Sequence, residues 1–392
     1  MPKYCESTSL RHNAQSARPT LAQINLSALQ HNYQVLRDSV PKDVRMMAVV
    51  KADAYGHGCV EISLELARLG AEAFAVTSLA EAIVLRESGI VQPVLVLGGL
   101  YPGEEADCIM NGVSATVFSI DQAIHLDRVA GTLSKKASIH IKIDTGMSRL
   151  GVSQEMVESF FNELKTLENL AVDGIYSQLA TAGETSETGT ICTRRQVELF
   201  REFVNYAKNN NLFPRDIHLA NSAATFSCSL PFCTMIRPGI ALYGALPFPE
   251  LRSRIHLKPV MQFKTKIAAI HWTEKGEYVG YSGRYKAERK ILVACVPVGY
   301  GDGYPRTLTN TGKALIGGKW AYVIGSICMD WSMLDVTDLE NVQVGDEVVL
   351  FGVEDAGGDI QPDEFAVLAG TIPNAIFTGI SKRVPRVYVR ND

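Results

Sequence analysis

Between about residue 45 and residue 245 the chain repeats one pattern, in which a short apolar run ends in a turn and an amphipathic stretch follows. The runs are residues 46–51, 73–77, 93–98, 115–118, 138–143, 171–176, 217–220 and 235–237. Short runs of this kind suit strands buried on both faces. Most of the intervening segments, such as 154–167 and 194–208, carry helical spacing. Eight strands separated by helices predict a (β/α)8 barrel of the TIM type, an α/β fold. The signal is weakest after the third run, where the stretch from Gly98 to Gly103 is all turn chemistry.

The flanks read differently. Residues 1–18 are polar and aperiodic, which predicts a loose extension. Pro19 to Leu26 alternates weakly, and the helical spacing that follows has Ser27 as its expected N-cap. Near Pro247 the texture changes, and residues 258–390 show alternating runs separated by Gly/Asp turns, with one helix-like stretch at 362–370. The expected organisation is therefore an extension (1–18), a barrel (19–246) and a mainly β domain (247–392).

Composition narrows the function classes. Hydrophobic residues make up 46% and charged residues 20%, enough to bury large cores. Lys and Arg number 38 against 42 Asp and Glu, so no basic bias points to nucleic acid. No apolar run reaches the ~18 residues of a membrane helix, and the first residues lack the apolar stretch of a secretory signal. Eight cysteines are too sparse for a disulfide scaffold. A soluble cytoplasmic protein is the expectation.

Catalytic groups of a parallel barrel lie at the carboxyl ends of its strands. Lys51 ends the first run, and desolvation there disfavours its ammonium form. A neutral lysine amine attacks aldehydes to form a Schiff base; the alternative is a lysine that snorkels from the rim. Lys142 to Arg149 follows the fifth strand. His218 to Ala224, with Asn221 and Ser222, follows the seventh. Arg237 to Gly244, with Gly239 and Ile240, follows the eighth. Barrel phosphate sites use the loops after strands seven and eight. A rim lysine together with a phosphate cup fits a phosphorylated aldehyde cofactor, for which pyridoxal phosphate is the candidate.

The segment Val49 to Gly58, containing Lys51 and Tyr55, resembles the cofactor-lysine signature of alanine racemases. Residues 142–151, 218–224, 237–244, 280–285, 298–304 and 326–330 resemble that family's other landmarks in order, over about 18–389. The resemblance implies interconversion of L- and D-alanine, supplying D-alanine for cell-wall peptidoglycan. It implies that Lys51 carries pyridoxal phosphate, that Tyr55, Ser222 and the backbone of Gly239 and Ile240 hold the phosphate, and that Arg237 faces the pyridine nitrogen. Lys51 and Tyr281 would act on opposite faces of the substrate Cα; a phenol needs cationic neighbours to work as a base near neutral pH. Arg149 and the Met329 backbone would receive the substrate carboxylate, with Tyr300 near the entrance. Lys142 aligns with a lysine that some members carry as a carbamate. Because Tyr281 lies in the second domain, the resemblance implies a head-to-tail homodimer with shared sites.

Two positions depart from the family pattern. Gln178 stands where a histidine is common, and a carboxamide hydrogen-bonds both ways without carrying charge. Lys382 stands where a tyrosine is usual, and its ammonium offers the phosphate a point charge. Both leave a broader racemase, acting on serine or lysine, as an alternative. A decarboxylase of related layout is opposed by Arg237, and a cofactor carrier by the second domain. Elsewhere, Gly280-Tyr-Ser282-Gly-Arg284 lacks the final glycine of a hydrolase elbow, the 299–304 glycines lack dinucleotide spacing, and Cys228 and Cys233 have no partner pair for zinc. His57 and Asp302 read as turn-shaping groups, and Cys328 as packing.

Overall fold

The computed structural model describes residues 18–354 and 357–390. The extension expected at 1–18 lies outside the described residues except for Arg18.

Arg45–Val49, Ala73–Val76, Val94–Val96, Ser114–Val117, Ala137–Lys142, Leu170–Tyr176, Asp216–His218 and Met235–Ile236 form a closed parallel barrel. Ala48 lies beside Phe74, and Met46 beside Ile236 closes the ring. Each strand falls within a residue or two of its expected run. Phe74, Ile139 and Ile141 are fully buried, and each large apolar side chain so buried contributes roughly 1.5–3 kcal/mol. The helix Leu26–Asp38 begins two residues earlier than a cap at Ser27 implies. Asn25 caps it, its side-chain oxygen accepting from the N–H groups of Ser27 and Ala28 at 2.9 and 3.0 Å, because the residue at the cap must still be extended.

The chain divides into two compact units interleaved in sequence. Among the described residues, one comprises 24–261, 361–380 and 388–390, the other 18–23, 262–354, 357–360 and 381–387. The helices Pro362–Leu368 and Pro373–Gly379 fall in the barrel unit. There the Phe377 carbonyl approaches Gly56 so closely that a Cβ on Gly56 would lie 2.3 Å from it. Tyr388 Oη donates to the His57 carbonyl at 3.1 Å, and Arg390 and Arg68 both pair with the buried carboxylate of Glu65.

The other unit is built on antiparallel strands in the order Ala269–Thr273, Ile291–Val296, Ser332–Asp335, Lys319–Val323, Lys313–Ile316, Glu347–Val353 and Met261–Lys266. Ala294 opposes Leu334, and Leu315 opposes Val349. Its core includes Val293, Ile324 and Met333, with Cys328 packed against them. Among the described residues, no helix is long and apolar enough to cross a membrane.

Candidate active site

Lys51 leaves the first barrel strand into a turn of unusual hand. Ala52, Asp53, Ala54 and Tyr55 have φ of 53°, 55°, 52° and 54°, a left-handed stretch that costs L-residues roughly 1–2 kcal/mol each. Hydrogen bonds from other segments hold it. Glu81 Oε1 accepts from Ala52 N–H at 2.7 Å, while its other oxygen accepts from Thr77 and Ser78 N–H. Asp53 Oδ1 accepts from Cys59 N–H at 2.8 Å. The buried His57 ring closes the turn, with Nδ1 3.1 Å from the Ala54 carbonyl and 3.0 Å from that of Tyr55. Backbone strain of this kind concentrates at functional sites.

The turn delivers Lys51 and Tyr55 to a cavity of about 660 Å³ at the carboxyl ends of the strands. Burial first, and the Arg149 guanidinium second, lower the Lys51 ammonium below its ordinary value, against the pull of Glu81. Burial raises the Tyr55 phenol to about 12, so it stays protonated. Ser222, Gly239 and Ile240 line the same cavity. Ser222 Oγ accepts from Gly239 N–H at 2.9 Å and from Ala241 N–H at 3.3 Å. Tyr55 Oη lies so near Gly239 that a Cβ there would be 2.5 Å away; only glycine lets phenol, hydroxyl and backbone converge. Asn221 lines the cavity too, and its side-chain oxygen caps the helix Ser222–Ser227 by accepting from Ala224 N–H at 3.0 Å.

Arg237, Lys142 and Arg149 form the cationic side, with the neutral Gln178 beside them. Buried Arg237 donates to the carbonyls of His218 and Ser177 at 2.8 and 2.7 Å and to Gln178 Oε1 at 3.2 Å. It also donates to His218 Nδ1 at 2.8 Å. Arginine only donates, so His218 carries its proton on Nε2, which faces His140 Nδ1 at 2.8 Å. Both imidazoles are neutral: burial lowers His140 to about 4 and His218 well below its ordinary value. Burial brings Arg237 down to about 10, leaving it charged at neutral pH. Lys142 is lowered to about 7 by burial, then by Arg237 and Arg149, with Asp144 opposing. Its Nζ lies 4.8 Å from the Tyr176 ring centre.

The remaining expected residues belong to the other unit. Tyr281 opens a short 3-10 turn and is 71% exposed; its carbonyl accepts from Ser326 Oγ at 2.8 Å. Tyr300, Met329 and Lys382 are exposed as well.

Sequence reasoning missed His140, Glu184, Asn374 and Gln196. Glu184 and Asn374 line the cavity. Gln196 accepts from Ala180 N–H at 2.9 Å and donates to the Gln178 carbonyl at 3.1 Å, fixing that loop. A buried glutamine on an otherwise amphipathic helix, and a histidine inside an apolar strand, were the available signals. Among the described residues, no group of His, Cys, Asp or Glu is arranged to hold a metal ion.

A parallel barrel that presents a partly desolvated amine and an anion cup to one cavity, joined to a mainly β unit, defines a class of two-unit barrel enzymes. Residues 24–247 match the sequence profile "Alanine racemase, N-terminal domain", and residues 260–388 match "Alanine racemase, C-terminal domain". The chain belongs to the alanine racemase family. It is 48% identical to the alanine racemase of Geobacter sulfurreducens over 373 residues, covering 95% of this chain and 98% of the relative. It is 47% identical to that of Citrifermentans bemidjiense, covering 95% and 99%. The solved alanine racemase of Clostridium difficile superposes with a TM-score of 0.89 at 36% identity, covering 96% and 97%. The Bacillus anthracis enzyme with bound L-Ala-P gives 0.86 at 33%, covering 95% and 96%.

Proposed function

We propose that this protein interconverts L- and D-alanine with pyridoxal phosphate held in the barrel cavity, and that it works in the cytoplasm to supply D-alanine for peptidoglycan. The observation that carries the reading is the meeting of Lys51 with the Tyr55–Ser222–Gly239 cradle in one cavity. The residues fit the cofactor. A protonated phenol, a hydroxyl and the backbone of Gly239 and Ile240 suit a phosphate, a lysine of lowered pKa suits an aldehyde carbon, and Arg237 suits a ring nitrogen acceptor. Lys382 adds a point charge for the phosphate, and Asn221 holds the Ser222 segment in place. Bound there, pyridoxal phosphate withdraws electrons from the substrate and makes its Cα–H acidic.

The chain's own groups then handle the proton. Lys51 Nζ takes or returns it on one face of Cα, and Tyr281 Oη does so on the other, which is what inversion requires. Arg237 stays protonated, so it would donate to the pyridine nitrogen rather than accept from it. Gln178, bonded to Arg237, fixes the guanidinium without adding a second titrating group. Arg149 and the Met329 N–H receive the substrate carboxylate, and Tyr300 borders the entrance. The neutral fraction of Lys142 adds carbon dioxide, releasing a proton, and the resulting carbamate pairs with Arg149. Tyr281 is exposed on its own unit and so is available to a second copy of the chain; the functional unit is a homodimer with shared sites.

The test is exchange of solvent deuterium into Cα across a panel of L- and D-amino acids that includes serine and lysine. Exchange with inversion, strongest for alanine, is expected. A holoprotein that leaves every enantiomer optically unchanged refutes the reading, as does borohydride reduction that fixes the cofactor on a residue other than Lys51.

A further inference from the structure

The exposed Met329 peptide is held by a charge cluster with no part in the chemistry derived above. At its centre is Asp302, whose side chain is fully buried. Arg18 grips both carboxylate oxygens at 2.5 and 2.7 Å, Arg383 Nε donates at 2.8 Å, and Gly299 N–H donates at 2.9 Å. Burial pushes the carboxyl up, but the two arginines outweigh it and hold Asp302 below its ordinary value, so it is ionised. From this centre the bonds run outward. Arg18 Nη2 donates to the Pro297 carbonyl at 2.8 Å. Arg383 Nη2 reaches Asp330 at 2.8 Å and the Met329 carbonyl at 3.3 Å.

These bonds fix peptide planes. The Met329 N–H shares a rigid plane with the Cys328 carbonyl and points the opposite way. Tyr300 N–H donates to that carbonyl at 3.0 Å, and Gly301 N–H donates to the Met329 carbonyl at 2.9 Å. Both donors lie on the 299–302 turn that Asp302 closes. The Met329 N–H itself donates to no group among the described residues. It is left unpaired on an exposed residue, with its orientation set from both sides, as a preorganised donor requires. Room for Arg383 against this turn exists because residue 301 is glycine: a Cβ there would lie 2.6 Å from Arg383 Nη2.

We propose that Asp302, acting through Arg383 and Arg18, is a positioning residue that aims the Met329 N–H at the substrate carboxylate. The proposal rests on the reading that Met329 receives that carboxylate. It follows that the cluster governs substrate binding rather than proton transfer.

The test uses holoenzyme carrying Asp302→Asn, Arg383→Lys, Gly301→Ala or Met329→Pro. Each is assayed for KM and kcat with alanine and for inhibition by propionate, which has the carboxylate without the amine. Asp302→Asn should raise KM and weaken propionate together by about tenfold or more, with kcat within about threefold. Arg383→Lys, which keeps the charge, should fall between it and the parent. Should Asp302→Asn fail to fold, Gly301→Ala, whose Cβ would displace Arg383 and crowd the Met329 carbonyl at 3.0 Å, should still weaken propionate. A fall in kcat at unchanged KM overturns the proposal. If Met329→Pro weakens propionate while Asp302→Asn and Gly301→Ala do not, the carboxylate reading stands and the positioning role fails. If Met329→Pro changes neither constant, the carboxylate reading falls and takes the proposal with it.

Discussion

Replacing Gly239 with alanine tests the anion cup on steric grounds. The added Cβ would stand 2.5 Å from Tyr55 Oη, 3.2 Å from its Cζ and 3.6 Å from Val49 Cβ. The first of these cannot persist, so the phenol or the loop must move. The phenol has little freedom, since its ring lies 4.8 Å from that of Tyr243 and its backbone belongs to the left-handed turn. Overpacking of this kind costs about 1–3 kcal/mol. Tyr55→Phe removes the clashing oxygen and leaves Cζ at 3.2 Å, a contact that a small shift relieves. A double-mutant cycle on unfolding free energy, from guanidinium titration of cofactor-free protein, should therefore show a coupling of about 1–2 kcal/mol, with the double variant more stable than the sum. In parallel, Gly239→Ala should weaken pyridoxal phosphate binding by about tenfold or more, the worth of one lost charge-assisted hydrogen bond. A cycle additive within about 0.5 kcal/mol would show that the two residues do not meet as described.

Three further outcomes are expected. Lys51→Ala and Tyr281→Phe proteins, each inactive alone, should regain turnover after subunit exchange; mixtures that stay dead although heterodimers form would favour self-contained sites. In carbonate-free buffer, cofactor-free protein should gain stability as pH rises from about 7 to 10, because the unfolded Lys142 holds a proton that the folded one releases near 7; Lys142→Met should flatten that rise, and an unchanged slope would reject a depressed Lys142. Glu65→Gln should cost about 1–3 kcal/mol at neutral pH. Burial opposes the Glu65 charge, but Arg68 and Arg390 hold the carboxyl down at about 2. Its contribution is therefore complete above the unfolded carboxyl range and lost as pH falls toward 2, so parent and variant should converge in acid.

The eight barrel strands were legible because a strand buried on both faces must be an apolar run, and nothing else in this chain repeats in that way. Lys51 and Arg237 were legible because each follows such a run directly. The turn between Lys51 and Tyr55 was not. Alanine, aspartate and tyrosine all disfavour positive φ, and the groups that impose it, such as Glu81, lie on other segments. His140 was hidden because a histidine within an apolar strand reads as filler until the Arg237–His218 bond gives it a partner. The assignment of 361–380 to the barrel unit was equally invisible, since its packing partners lie some 300 positions away in sequence.

That late return of the chain to the barrel has a consequence for biosynthesis. Tyr388 reaches back 331 positions to the His57 carbonyl, and Phe377 lies against the same turn. A nascent polypeptide still on the ribosome at residue 360 holds every stave of the barrel and the Glu81 and His57 bonds to the Lys51 turn, yet not the contacts from Phe377 and Tyr388. A truncation that spares all eight strands would still leave that turn without its Phe377 and Tyr388 contacts.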